Sequence, residues 1–131
     1  MRLIEFPQSL VRAGVARCDI TPPVGIYHRM WGAATHDQST GVNRPLTATA
    51  LALAPRQEPE HAARPLVMIA IDHCLLWITE MRALLNAVSG SAVVDKDDVI
   101  VFFTHTHAAG LMGLERCALP GGDMIPGYLT S

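Results

Sequence analysis

The chain contains no apolar run near the roughly eighteen residues that a helix needs to cross a bilayer. Its opening, MRLIEFPQSLVRAG, interrupts its apolar character at Glu5, Pro7 and Arg12, which is unlike a secretory leader. Neither a transmembrane segment nor a signal peptide is read, and the expected location is cytoplasmic. A secreted or periplasmic location is the alternative if a leader lies upstream. Aromatic residues are few, with two Trp, two Tyr and three Phe, and the interspersed charges sum to −2. A nucleic-acid binder needs a basic stripe or a stacking platform, so that class is excluded.

Cysteine is scarce as well. Cys18, Cys74 and Cys117 are odd in number, widely spaced and form no Cys-x-x-Cys. That excludes a disulfide framework and a structural zinc knuckle, and it leaves reduced thiols. Cys74 and Cys117 are expected as small buried packing residues rather than as a zinc pair or a nucleophile.

What the chain does have is hydrophobic residues, half of its 131, enough for a real core in one domain. AGVARCDI, Ala13 to Ile20, alternates like a strand and stops at Thr21-Pro22-Pro23, which cannot continue a ladder. Val24 to Pro45 carries Gly, Pro, Asn, Asp and Ser throughout, which predicts one long loop of the kind that serves function. Leu46 to Ala54 alternates again, with threonines favouring a strand. The charged stretch Pro55 to Pro65 predicts the tip of a hairpin, with His61 solvated on it. LVMIAI, Leu66 to Ile71, predicts a strand covered on both faces and stops at Asp72-His73.

Ile78, Met81, Leu85 and Val88 fall at helical spacing opposite Thr79, Glu80, Arg82 and Asn86, which predicts an amphipathic helix from about 77 to 89, with Gly90 as its stop. Asp95 to Asp98 makes a charged turn before VIVFF, Val99 to Phe103, a second strand with both faces apolar. There is no internal repeat. The last residues, LPGGDMIPGYLTS, hold two Pro and three Gly with no closing amphipathic element, so they read as an active-site loop or a connection and the chain as a fragment.

Strand, helix, strand is a βαβ unit, so the expected fold is α/β with a mixed or parallel sheet. Parallel strands finish at one edge, and ligands of open α/β sheets bind outside that edge. Asp72-His73 and His105-Thr106-His107 are thereby brought towards one crevice.

In an extended segment His105 and His107 project to the same side. Imidazoles ligate zinc, and a catalytic zinc takes about three protein ligands and keeps an open position. The pair therefore suits a zinc hydrolase. Both rings serve as ligands, or one binds metal while the other donates a hydrogen bond to a substrate oxygen that becomes negative. The plainer alternative is two rings hydrogen-bonded at a strand end. Asp72 either orients a metal-bound histidine by accepting its second ring proton or caps the following turn. His73 faces the other way, as a helper or a buried hydrogen-bonded residue. His28 and His36 belong to the long loop that would line the crevice, and Gly110 offers backbone freedom for close approach. Glu115 and Arg116 are expected to be exposed.

GVARCDITPPVG, the Met30-Trp31-Gly32 step, HDQSTGV from His36 to Val42, the strand ending in Asp72 and above all THTHAAG occur in an order that resembles the N-terminal part of the neutral, alkaline non-lysosomal ceramidase family. The resemblance runs from about residue 13 to 128, within a single catalytic domain of which residues 1–131 are a part. It implies a zinc-dependent amidohydrolase that splits the N-acyl bond of a ceramide-like sphingolipid. The implied roles are His105 as zinc ligand and His107 as the substrate-side donor that steadies the developing oxyanion. Asp72 and His73 stay the helper candidates that their position suggests, and His36 and Arg44 the candidate substrate-lining residues. A lipid-like N-acyl amide is the implied partner, with peripheral membrane contact compatible.

Two departures stand out. Ala108-Ala109-Gly110 replaces the family's Ser-Gly-Pro, and Arg44 is what remains of an Arg-rich step. The family's other zinc ligands, a His, a Glu and a Tyr, fall beyond the length of this chain. Alternative readings are another metal-dependent amidohydrolase or esterase, and a non-catalytic domain descended from the family.

Overall fold

The computed structural model describes residues 10–56, 64–91 and 94–131. Four strands form one sheet in the order β1-β2-β3-β4: β1 is Val11–Asp19, β2 Thr47–Pro55, β3 Leu66–Ile71 and β4 Val99–Phe103. The first three pair antiparallel, with Val15 opposite Leu51 and Leu51 opposite Met68. β4 pairs parallel with β3, placing Ile71 opposite Phe103 at their shared carboxyl ends. The sheet is therefore mixed, and the helix between β3 and β4 completes the expected βαβ unit. β2 and β3 form the predicted hairpin pair; its tip, with His61, falls in 57–63, outside the described residues. No helix among the described residues is long and apolar enough to cross a membrane.

Of the two buried-looking strands, β3 is covered or partly covered throughout, whereas β4 is open on one side. In β4 the exposure alternates, with Ile100 48% and Phe102 49% exposed while Val99, Val101 and Phe103 are more covered. Their apolar runs predict cover on both faces, but no described element packs over the face that carries Ile100 and Phe102.

Helix α1, Ile78–Ser91, runs through Gly90 instead of stopping there. An exposed glycine in a last turn costs only about 1 kcal/mol against alanine, too little to end a helix by itself. The helix also inverts one expectation. Glu80, placed by periodicity on the polar side, is buried, while Ile78 is exposed. The Glu80 carboxylate accepts the Leu114 backbone N–H at 3.2 Å, a pairing that periodicity cannot register.

The long loop between β1 and β2 has more order than its composition suggests. Tyr27 and Gln38 form a bridge, and Gly25, His28 and Ser39 donate backbone N–H groups to Ser39, Asp37 and Ile26 respectively, folding the segment into an irregular hairpin. Its Ile26 and Tyr27 join Met112 and Ile125 in a buried cluster, with Met124, Tyr128 and Leu129 against it. Ile125 comes from a short helix, α2, Ile125–Thr130, in the tail expected to lack a closing element. Six residues are too few to display a helical period, and Pro126 serves at the helix start, where it loses no intrahelical bond.

Candidate metal centre

The ends of β2, β3 and β4 are tied together by Asp72. Its Oδ2 accepts the Thr47 backbone N–H and the Thr47 hydroxyl, both at 2.9 Å, and its Oδ1 accepts the Thr104 hydroxyl at 3.0 Å. The Thr47 backbone N–H, above all, holds the carboxyl below its usual range; the two hydroxyls and the Arg17 charge act in the same direction against desolvation. The sequence offers Asp72 as an acceptor for a metal-bound histidine or as a turn cap. In the structure its partners are two threonines, so it acts as a brace at the sheet edge that carries the histidines.

Beyond Thr104 the chain turns. His105 adopts φ 59°, the left-handed region, and His107 opens a 3-10 turn, His107–Ala109, whose first residues are capped as Thr106 Oγ1 accepts the Ala108 N–H at 3.2 Å. The two rings do not meet by the alternation of an extended segment. They meet through this turn, with centroids 5.4 Å apart and planes at 62°.

Cys74, two residues after Asp72, is buried beneath them. Its Sγ lies 3.7 Å from Nδ1 and 3.8 Å from Nε2 of His105. One donor atom each from Cys74, His105 and His107 fall within 4.8 Å of one another, a group that could hold a metal ion. Sequence reasoning set Cys74 aside because it sought a second cysteine close by. The partner is a histidine 31 residues away, reached through β3–β4 pairing. The available signal was position, since Cys74 follows β3 at the same carboxyl edge where His105 follows β4.

The long loop flanks this group. Trp31 meets His107 edge-on, with centroids 5.3 Å apart. His36 stacks on His28 at 5.8 Å and 13°, and burial, followed by the nearby His36, lowers the pKa of His28. His28, Trp31, His36 and His107 line a cleft of about 310 Å³. A second cleft of about 530 Å³ is lined by Arg44, Asp72, Thr106 and Ala108, with His28 at its edge too. His36 and Arg44 thus lie on separate clefts flanking the histidine turn. Gly110, at φ 76°, makes its close approach to the backbone of Tyr27 and His28.

His73 points elsewhere. It is buried, with Nε2 2.8 Å from the Tyr128 hydroxyl, and that hydroxyl donates its one proton to the Ile20 carbonyl at 2.8 Å. The network therefore assigns the ring proton to Nε2, which donates to Tyr128, and leaves the buried Nδ1 without a partner. Burial pushes the His73 pKa down to about 4 and, with Asp19, raises that of Tyr128. Arg116, expected in solvent, instead lies against the Tyr27 ring, 5.7 Å from its centroid.

A thiol and two imidazoles are the donor types that zinc prefers, and their mutual reach fits one ion. The fold of the mixed sheet is similar to that of two solved structures. A ceramidase complexed with C2 superposes at TM-score 0.65, with 20% identity over 80% of this chain and 16% of its own. The neutral ceramidase from Pseudomonas aeruginosa superposes at TM-score 0.66, with 18% identity over 95% of this chain and 21% of its own. The fold that the Thr-His-Thr-His resemblance implies is thus the fold observed. The chain spans about a fifth or less of the length of those two structures. No family model and no curated protein matches the sequence.

Proposed function

We propose that this chain is part of a zinc-dependent hydrolase of the ceramidase family that cleaves the N-acyl amide bond of a ceramide-like lipid. The observation that carries this reading is the convergence of His105, His107 and Cys74 at the carboxyl edge of a sheet shared with neutral ceramidases. His105 binds the metal. His107, set by the 3-10 turn and by the Trp31 edge, donates a hydrogen bond to the amide oxygen as charge develops on it. Zinc held by His105 would lower the pKa of a water enough to make it nucleophilic near neutral pH and would polarise the amide carbonyl. The clefts on either side of the histidine turn accept the two arms of the substrate, and His28, whose pKa burial lowers, lines both. Ala108 in the wall of the larger cleft, where the family carries serine, also suits small amides or esters as a second reading.

The test is hydrolysis of an N-acylsphingosine, with zinc content, in the full-length protein. His105→Ala is expected to lose both. His107→Ala is expected to keep zinc and lose turnover. Undiminished hydrolysis by His105→Ala would overturn the reading, and cleavage of short amides or esters with no action on N-acylsphingosine would favour the second one.

A further inference from the structure

Two clefts flank the histidine turn, and their walls differ in chemistry. We infer that the larger cleft recognises an anionic group, a carboxylate or a phosphate, on the amine arm of the substrate, with Arg44 as the side chain that clamps it. This rests on the reading of an N-acyl amide hydrolase and narrows its substrate class.

The direction of the substrate follows from His107. Its ring lines the smaller cleft, and the amide oxygen to which it donates belongs to the acyl half of the substrate. That cleft is walled by Met30, Trp31, Ala33 and Ala34, which suit an acyl chain. Thr106 and Ala108, the residues before and after His107, line the larger cleft instead, so the amine half leaves the turn on the Arg44 side.

The larger cleft offers donors that nothing uses. Among the described residues the guanidinium groups of Arg12, Arg17, Arg29, Arg64 and Arg116 each donate to a carbonyl, hydroxyl or carboxylate. Arg44 donates to none of the described residues and pairs with no acid among them. The Asn43 amide beside it is equally unengaged there, and Thr106 Oγ1, which accepts the Ala108 N–H, keeps its own proton to give. Asp72 is the carboxylate in this wall, yet it does not claim Arg44. Its oxygens take Thr47 and Thr104, and the cation that acts on it is Arg17. A guanidinium fork without an acid matches the paired oxygens of a carboxylate or phosphate. A neutral hydroxyl head presents one oxygen and no charge, and would leave most of that fork idle. Arg44 is exposed, so water screens the pair and the preference it confers is about 10-fold, well short of that of a buried clamp.

The full-length protein is assayed on pairs of amides that share one acyl chain: N-dodecanoylsphingosine against its phosphate monoester, and N-dodecanoylethanolamine against N-dodecanoylglycine. A kcat/KM about 10-fold higher for an anionic member than for its neutral partner is expected, carried by KM, and narrowing to within about 2-fold in Arg44→Gln. Arg44→Lys keeps the charge without the fork and should recover part of the preference. A response of the phosphate pair alone identifies a lipid headgroup, and of the glycine pair alone an acyl amino acid. Equal use of both members by the native protein, which depends on no variant folding, or a preference that survives Arg44→Gln, would overturn the inference. Analogues with an ether in place of the amide separate recognition from hydrolysis. Amide cleavage with no anionic preference removes the clamp and leaves the proposed function standing, whereas Arg44-dependent binding of the anionic analogues without cleavage of any amide supports the clamp and removes the function. A protein that neither binds nor cleaves any of these compounds would overturn both.

Discussion

The Thr104 hydroxyl donates to Asp72 Oδ1 at 3.0 Å, joining the end of β4 to the end of β3 one residue before His105 and two residues before Cys74. The same carboxylate takes the N–H and hydroxyl of Thr47 at the start of β2. One side chain thus ties β2 to the ends of β3 and β4, the two strands from which the candidate metal donors depart. Asp72→Ala removes all three bonds and leaves a part-buried Thr47 N–H unpaired, for a loss of about 2 kcal/mol. Metal affinity should fall about 10- to 100-fold, as it does when groups that orient ligands are lost. Urea unfolding and zinc competition with a chelator measure the two effects, and unchanged zinc affinity would show that the brace does not position the donors. The Asp72 pKa is lowered in the fold, so its contribution is present above the ordinary carboxylate pKa and is lost as pH falls through the folded value.

Stability should also depend on His73. Its ordinary pKa of 6.5 falls to about 4 in the fold because burial opposes the charged ring. Between those values the unfolded chain binds a proton that the folded chain does not, so stability is complete above the unfolded pKa and declines as pH drops towards the folded one. The whole loss is at most about 3 kcal/mol. His28, also lowered, acts in the same direction. Denaturant midpoints measured across this window should slope for the native sequence and flatten in His73→Gln, which keeps a donor for Tyr128 without titrating. An equal slope in both would assign the pH dependence to other groups.

The βαβ unit was legible because its signals are local. Leu66–Ile71 and Val99–Phe103 are apolar runs of strand length, and Met81, Leu85 and Val88 keep a helical period between them. From that unit alone the residues after β3 and β4, Asp72 and His105 among them, had to leave the sheet at one edge. The rest depends on contacts between distant segments. Glu80 reads as solvent-facing until Leu114 offers it an N–H. Helix α2 is too short to show a period and is held by burial of Ile125 against Ile26 and Met112. Cys74 becomes a candidate ligand only when the β3–β4 register is known. His73 was read as facing away from the metal side, but its partner, Tyr128, is 55 residues along the chain.

Gly110 connects the histidine turn to the long loop. At φ 76° it occupies a region that an L side chain rarely adopts, and a Cβ there would lie 3.2 Å from the His28 Cα, 3.2 Å from the Tyr27 carbonyl oxygen and 3.3 Å from the Met112 methyl. Two of these neighbours are backbone and cannot rotate away. Gly110→Ala should cost about 1–3 kcal/mol and push the loop with His28 and Trp31 away from His107. Denaturation gives the first quantity, and a raised KM with retained zinc would report the second. A variant as stable and as active as the native sequence would show that the loop yields without consequence.

His105 carries the only left-handed φ of a non-glycine residue among those described, at 59°. Histidine enters this region more readily than most residues, but it still does so at a cost that glycine escapes. The turn swings the ring back over Cys74, whereas an extended residue there would carry it onward along β4. If the strain serves the metal, relieving it and removing the ligand should have opposite effects on stability and binding. His105→Gly should make the metal-free protein more stable by about 1 kcal/mol while abolishing metal uptake. His105→Val, with a β-branched side chain that resists positive φ, should lose binding and stability together. Urea unfolding of the metal-free proteins, with zinc content read in parallel, separates the two variants. A destabilised His105→Gly would mean that the imidazole contributes more by packing against Cys74 than its backbone loses, and that the turn is set by the fold rather than by the ligand.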